Sequence, residues 1–470
     1  KDLLLMSNRR QFIRKIGGLA AAITTSSLTD LAARERYEIL ELQQTKAYAA
    51  NDRIRVGVVG MGIIGIRNTR TFMELPGVEL AAVCDLYTGR LERAEELYGN
   101  QLFTTKDYRE LLLRSDIDSI IVCTSDNWHD RISIDAMRAG KAVYCEKPLV
   151  HQLSQGSELM RVQKETGAIL QVGSQRVSSI VYAKAKELYK SGEIGQLNSV
   201  EAAFDRQSVL GAWKYTMPPD ASADTVDWQR FVRGKDKSAF DPKKFFWWRN
   251  YREYGTGVAG DLFVHLLSGL HFLTDSQGPS RIFATGDLCY WKDGRNVPDV
   301  MTAVLEYPES PQHKAFQVTL RVNLMSGMGD TATTRFVGTE GVIDFGWTDF
   351  TIRRSKIPVA PGYGGWDSFE TYPLSTQERI RKQYDATYSQ ADRQAPALSD
   401  LKYAAPDGYS DSKDHFASFF AAVRKEMPVV EDAAFGFRAA APCLACNESY
   451  FRGKVIHWDP VQMKEKNSRG

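Results

Sequence analysis

Neither sign of charge is in surplus. Lys and Arg total 60 and Asp and Glu 58, a formal net charge of +2. That balance leaves no basic footprint for a nucleic acid or another polyanion, so no such partner is expected. Cysteine is scarce, at six residues: Cys84, Cys123, Cys145, Cys289, Cys443 and Cys446. Three of them end apolar, β-like runs and read as small core residues. "CLAC" at 443–446 is a C-x-x-C, but no second pair completes a zinc site, and it lies in an Ala-rich helical run. Two buried helix residues and no metal are expected there. Long apolar runs are missing too. The one near the amino end covers about twelve residues broken by Thr and Ser, too short to span a bilayer.

What is present is length and aromatic side chains. A chain of 470 residues exceeds one ordinary core, so about two to three domains are expected. Trp and Tyr bunch in the second half, which suits a site that stacks on flat or sugar-like ligands. "SNRRQFIRKIGGLAAAITTSSL" (7–28) joins Arg9-Arg10, Phe12-Ile13, a basic pair at Arg14-Lys15 and a short, mildly apolar run. It reads as a bacterial twin-arginine export signal, with Met6 as a start and "LAA" (31–33) as a cleavage site. Residues 1–35 are therefore set aside as signal and 36–52 as a linker or arm. No lipobox cysteine is present, so a soluble periplasmic product without a membrane anchor is expected. That export route carries folded proteins and suits a cofactor inserted beforehand.

"RIRVGVVGMGIIGIRNTRTFMELPGVELAAVCD" (53–85) reads as strand, tight turn, helix, strand. Gly60, Gly62 and Gly65 form G-x-G-x-x-G. The first allows the turn, the second lets a pyrophosphate approach the backbone, and the third lets the helix sit close to the strand. Ile63 and Ile64 open the helix, whose free N–H groups favour an anion. Asp85 ends the second strand, twenty residues after Gly65. A carboxylate there accepts from ribose hydroxyls and repels a 2′-phosphate, favouring NAD over NADP, although Arg90 lies nearby. The alternation continues through a strand leading into "TSDNWHD", a helix stopped by Gly140, "KAVYCEKPLV" (141–150) and "GAILQVGSQR" (167–176). Strands separated by helices imply a parallel sheet whose ligand edge is the carboxyl ends of its strands. Ser125, Asn127, Trp128, His129, Glu146 and Lys147 fall on that edge. The expected dinucleotide-binding domain spans 53–175.

"GVVGMGIIG", "CDL", "TSDNWHD", "GKAVYCEKPL" and "GTGVAGDLFVH" resemble, in order and spacing, the glucose–fructose oxidoreductase/inositol dehydrogenase (Gfo/Idh/MocA) family. The resemblance runs from about residue 53 to 460 and includes the closing segment 414–459. It implies an α/β chain: a Rossmann domain followed by an α+β domain, 176–460, with an open, mostly antiparallel sheet that serves substrate binding and oligomerisation. Residues 461–470 form a tail. Segments 197–205, 281–291, 301–307, 315–324, 334–354 and 453–459 fit strands of that sheet, with "GTEG" (338–341) as a turn. The glycine- and proline-rich stretch 355–410 reads as an irregular insertion, a lid or interface arm.

The resemblance puts Asp261 and His265 at its D-x-x-x-H positions and Lys147 at the lysine of E-K-P. Residues spaced i, i+4 share a helix face, so both side chains aim at one spot. An imidazole with an unperturbed pKa of about 6.5 suits the proton released when a secondary alcohol is oxidised. His265 is assigned general base and acid, Asp261 orients it or holds a substrate hydroxyl, and Lys147 stabilises the reacting oxygen. Arg176, Trp248, Arg249 and Tyr251 are substrate-side candidates. Three activities stay open. One is NAD-dependent oxidation of a ring hydroxyl in a sugar, cyclitol or glycoside by a homo-oligomer whose cofactor is tightly held and recycled. The second is redox-neutral, NAD-dependent glycoside cleavage. The third is non-catalytic binding of NAD or sugar. NAD-dependent α-N-acetylgalactosaminidases resemble the chain but carry Tyr-x-x-His where "GDLFVHLLSGLH" stands, so that specificity is not expected.

Overall fold

The computed structural model describes residues 36–42, 52–234 and 238–466. The segment 1–35, read as an export signal, lies outside them. A short strand, β1 (Arg36–Ile39), precedes the first apolar run. That run, β2 (Ile54–Val59), buries five of its six residues because it sits inside a sheet covered on both faces. Around it lie β3 (Val78–Cys84), β4 (Phe103–Thr105), β5 (Ser119–Val122), β6 (Ala142–Cys145) and β7 (Leu170–Val172). The order is β4-β3-β2-β5-β6-β7, and every pairing is parallel. All carboxyl ends therefore open on one edge. The order reverses beside β2, the crevice where such sheets receive ligands.

The second sheet alternates instead of running continuously apolar. In β11 (Phe316–Asn323) every other side chain is buried, as a sheet with one covered face requires. Its other members are β8 (Leu197–Asp205), β9 (Arg281–Asp287), β10 (Val300–Tyr307), β12 (Thr331–Gly338), β13 (Gly341–Phe345), β14 (Asp349–Arg354), β15 (Leu401–Ala404), β16 (Ile456–Asp459) and β17 (Lys464–Glu465). With β1 they form eleven strands, ordered β1-β15-β14-β13-β12-β8-β11-β10-β9-β16-β17. Only β1/β15 and β8/β11 pair in parallel. The helices Val264–Thr274 and Ala433–Arg452 pack together, and the second lies on β9.

Three expectations change. The arm 36–52 supplies β1, which lengthens the second sheet at its edge. The stretch 355–410 is not irregular throughout. It contains a 14-residue helix, Leu374–Thr387, and the sheet strand β15. That helix buries no residue, so it has no apolar stripe for a periodicity reading to detect. The tail from 461 adds β17, which pairs with β16. As expected, Cys443 and Cys446 are buried thiols in one helix. No metal-holding cluster occurs among the described residues. No described helix is long and apolar enough to cross a membrane.

The helix Asp411–Val423 belongs to the chain's last quarter yet closes the first sheet's core. Its Phe416 is fully buried, stacks on Tyr144 at 4.4 Å and meets Phe72 edge-on at 6.0 Å. Phe416→Ala should destabilise the protein by about 3–5 kcal/mol, seen as a lower denaturant midpoint.

Candidate active site

One cavity of about 600 Å³ joins the two sheets and gathers both sets of motif residues. At one end, Gly60 turns the chain with a φ of +94°, and a Cβ there would stand 2.6 Å from the Cys123 carbonyl oxygen. Only glycine meets both demands. A Cβ on Gly65 would collide with the Gly60 carbonyl, so Gly65 serves helix–strand contact and does not line the cavity. The helix Ile63–Met73 begins at Gly62 without a side-chain cap. Its free N–H groups and the open glycine turn suit a pyrophosphate. Ile63 and Ile64 line this end. Asp85 accepts from the Met61 amide at 2.7 Å and the Tyr87 amide at 2.9 Å, and Arg90 stands 3.5 Å away. One carboxylate thus ties the glycine turn to the end of β3.

The edge residues divide by what they touch. Ser125, Trp128, His129, Glu146 and Lys147 line the cavity. Asn127 does not: it accepts from Ser125 Oγ at 2.7 Å and its backbone bonds Tyr254 and Arg233. Both ring nitrogens of His129 face carbonyl oxygens, Pro148 at 2.7 Å and Thr124 at 3.2 Å. Two carbonyl acceptors suit a ring that carries both protons. Burial opposes the charge, but Cys145, Asp126 and the Pro148 carbonyl outweigh it and push the pKa up to about 10. Glu146 is raised by burial despite the 2.8 Å bond from Asn68.

At the other end, Lys147 follows β6 and reaches the helix that carries the acid–imidazole pair. Its Nζ donates to the Asp261 carbonyl at 2.8 Å and to Asp261 Oδ1 at 3.1 Å. Arg249 Nε donates to the same Oδ1 at 3.2 Å. Asp261 and His265 both line the cavity, although not on a plain α-helical face. Residues Ala259–Phe263 form a π-helical turn that runs into Val264–Thr274. Such turns widen the backbone and re-aim side chains. Asp126, buried beside the edge, secures the start of this helix by accepting from the Thr256 amide at 2.9 Å and its hydroxyl at 2.7 Å.

The electrostatics follow from this crowding. Burial opposes ionisation of Asp261, but Lys147, Arg249 and Arg206 override it and hold the carboxyl far below its usual range. His265 moves the other way. Burial, Lys147 and Arg176 press its pKa well below 6.5, with Asp261 opposing only in part. At neutral pH the site therefore holds an aspartate and a neutral imidazole, a proton acceptor in its basic form.

Arg176, Trp248 and Arg249 line the cavity. Tyr251 does not. It is buried among Trp228, Phe231, Phe245, Phe246 and Tyr254, where aromatic packing claims it. Arg206, Tyr215, Trp347 and Asp411 also line the cavity and were not singled out from the sequence. Each stands alone outside any motif, and only the fold brings them together.

Two family models match the chain: the oxidoreductase family with an NAD-binding Rossmann fold over residues 54–174, and the GFO/IDH/MocA C-terminal domain over 230–344. The chain belongs to the GFO/IDH/MocA family. An inositol 2-dehydrogenase of Salmonella typhimurium is 32% identical over 175 residues, 37% of this chain and 51% of that protein. A glycosyl hydrolase family 109 protein of a Shewanella strain is 29% identical over 217 residues, 42% of this chain and 46% of its own length. The chain thus spans about half the length of these curated relatives. Among solved structures, levoglucosan dehydrogenase with NADH and L-sorbose superposes with a TM-score of 0.61 at 17% identity, covering 87% of this chain and all of that one. Myo-inositol 2-dehydrogenase from Lactobacillus plantarum gives 0.58 at 19% identity, covering 86% and 99%. At such identity these structures show the shared GFO/IDH/MocA fold.

The imidazole of His265 should stay neutral as pH falls through 6.5, read from its NMR resonance. Lys147→Met removes the nearest opposing charge and should move that titration upward.

Proposed function

We propose that the protein oxidises a ring hydroxyl of a sugar, cyclitol or glycoside, with NAD held at the glycine turn. The observation that carries this reading is the convergence of Lys147, Asp261 and His265 in the cavity that the glycine turn opens. Gly60, Gly62, the uncapped helix start and Asp85 would hold the dinucleotide, and the buried carboxylate of Asp85 favours NAD over NADP. When bound, the nicotinamide supplies the hydride acceptor that turns an alcohol into a ketone.

The chain's own residues do the rest. His265, neutral and buried, takes the hydroxyl proton. Lys147 donates to the same oxygen as negative charge gathers on it. Asp261 holds Lys147 in place through two contacts and keeps a compensating charge beside it. Trp248 offers a ring face for a sugar, with Arg249 lying 4.2 Å from it. The twin-arginine segment supports export to the periplasm, where a free nicotinamide pool is not expected, so the cofactor would be tightly held and recycled. The open face of the second sheet supports a homo-oligomer. A second reading, redox-neutral glycoside cleavage, draws support from the family 109 relative.

Denaturing the purified protein should release NAD rather than NADP in near-stoichiometric amount; recovery of nucleotide-free protein would count against recycling. Aryl glycosides separate the two readings, since only cleavage frees the aglycone without net NADH. Lys147→Ala should lower kcat by about 10²–10³ while bound nucleotide is retained, measured by single-turnover reduction of the nicotinamide.

A further inference from the structure

The substrate end of the cavity holds two arginines that form no ion pair among the described residues. Lys147, Arg176, Arg206 and Arg249 line it, with Asp126, Glu146, Asp261 and Asp411. The four cations come from four separate places in the chain: the end of β6, the turn Gln175–Ser178, the end of β8 and the turn Trp248–Asn250. Lys147 and Arg249 share one oxygen of Asp261. Arg206 donates Nη1 to the Gly211 carbonyl at 3.0 Å and makes no ion pair among the described residues. Arg176 makes none either. Its guanidinium lies 5.5 Å from the Tyr182 ring, and its buried Nη1 has no hydrogen-bond acceptor. A buried guanidinium donor without an acceptor costs free energy unless a ligand supplies one.

We propose that the substrate is an acidic sugar, a carboxylate- or phosphate-bearing ring whose anionic group is received by Arg176 and Arg206 while the reacting hydroxyl lies at Lys147 and His265. This rests on the oxidoreductase reading of the same cavity and names its substrate class. A guanidinium offers two parallel donors that match a carboxylate or a phosphate, and the enclosed setting strengthens the charge-assisted bonds. A neutral sugar would leave the unpaired cations as they are. An acidic one places the missing acceptor beside Arg176. Asp411 lines the same cavity but forms no ion pair with either arginine among the described residues.

The test uses the full-length protein with its bound nucleotide. Nicotinamide reduction is followed with glucose, glucuronate and glucose 6-phosphate, and with galactose and galacturonate as a second pair. An acidic ring should exceed its neutral parent in kcat/KM by roughly a hundredfold, and the excess should shrink as salt rises. Glucuronate ahead of glucose 6-phosphate assigns a carboxylate; the reverse assigns a phosphate. Arg206→Met should lower the acidic-to-neutral ratio by about tenfold, and Arg206→Lys should restore part of it. Retained nucleotide shows that each variant is folded. Equal or better turnover of the neutral parents overturns the acidic-sugar assignment and leaves the oxidoreductase reading intact. No reduction with any of the five compounds counts against both.

Discussion

The contact between Lys147 and Asp261 is the constraint on which the rest of the site depends. The lysine ends a strand of the first sheet, and the aspartate sits on a helix packed against the second. Their side chains are 11% and 9% exposed, so neither charge can retreat into water. A buried pair of this kind adds little net stability, because desolvation offsets attraction, yet losing one partner costs about 3–5 kcal/mol. The pair therefore specifies geometry more than it contributes energy. It fixes the lysine's ammonium at the floor of the cavity and leaves His265, one turn further on, facing the same space. The same crowding sets the protonation states. Cations hold Asp261 ionised and keep His265 neutral, so acid and base roles are separated before any ligand enters.

That contact is reached only because the backbone leading to it is held from the other side. Asp126 belongs to the ligand edge of the first sheet and grips Thr256 through both its amide and its hydroxyl. Gly260 lets the helix pass Thr256 closely, since a Cβ there would collide with that side chain. The π-helical turn Ala259–Phe263 follows at once. An aspartate, a threonine and a glycine thus determine where the next aspartate points. Two polar links, Asp126 to Thr256 and Lys147 to Asp261, clamp one helix to one sheet edge. The aromatic cluster that includes Trp228, Phe231 and Tyr254 joins the same edge through the Tyr254 carbonyl, which accepts from the Asn127 amide at 3.2 Å.

Much of this was legible in the order of residues. The glycine turn, Asp85, the E-K-P lysine and the D-x-x-x-H pair are local signals, and each reports a backbone demand or a chemical role at a fixed spacing. The parallel sheet was legible because its strands are continuous apolar runs. What escaped was non-local or had no pattern. Arg206 and Tyr215 follow β8 in a polar stretch with no periodicity, and only the meeting of β8 with the Rossmann edge gives them a cavity to line. Tyr251 was misplaced for the opposite reason: it sits among site residues in sequence, but aromatic neighbours draw it into a core. Asn127 fails likewise, since its amide and carbonyl serve the loop. The exposed helix Leu374–Thr387 lacked an apolar stripe, and strands as short as β1 and β15 exist only through their partners.

The handling of arginine elsewhere in the chain gives the cavity's two unpaired arginines their meaning. Arg295 has no exposed side-chain surface, and its Nε and Nη2 both lie 2.9 Å from Asp293, while Nη2 also donates to the Ala212 carbonyl at 3.0 Å. Arg55, partly exposed, is matched by Glu79 and Asp116. Arg295 and Arg55 keep carboxylates beside them, which lowers the cost of desolvating a charge. Arg176 and Arg206 lack such a partner in the cavity that joins the two sheets, which a lysine and another arginine sharing one aspartate also line. A bound anion would supply the acceptor that Arg176 Nη1 lacks.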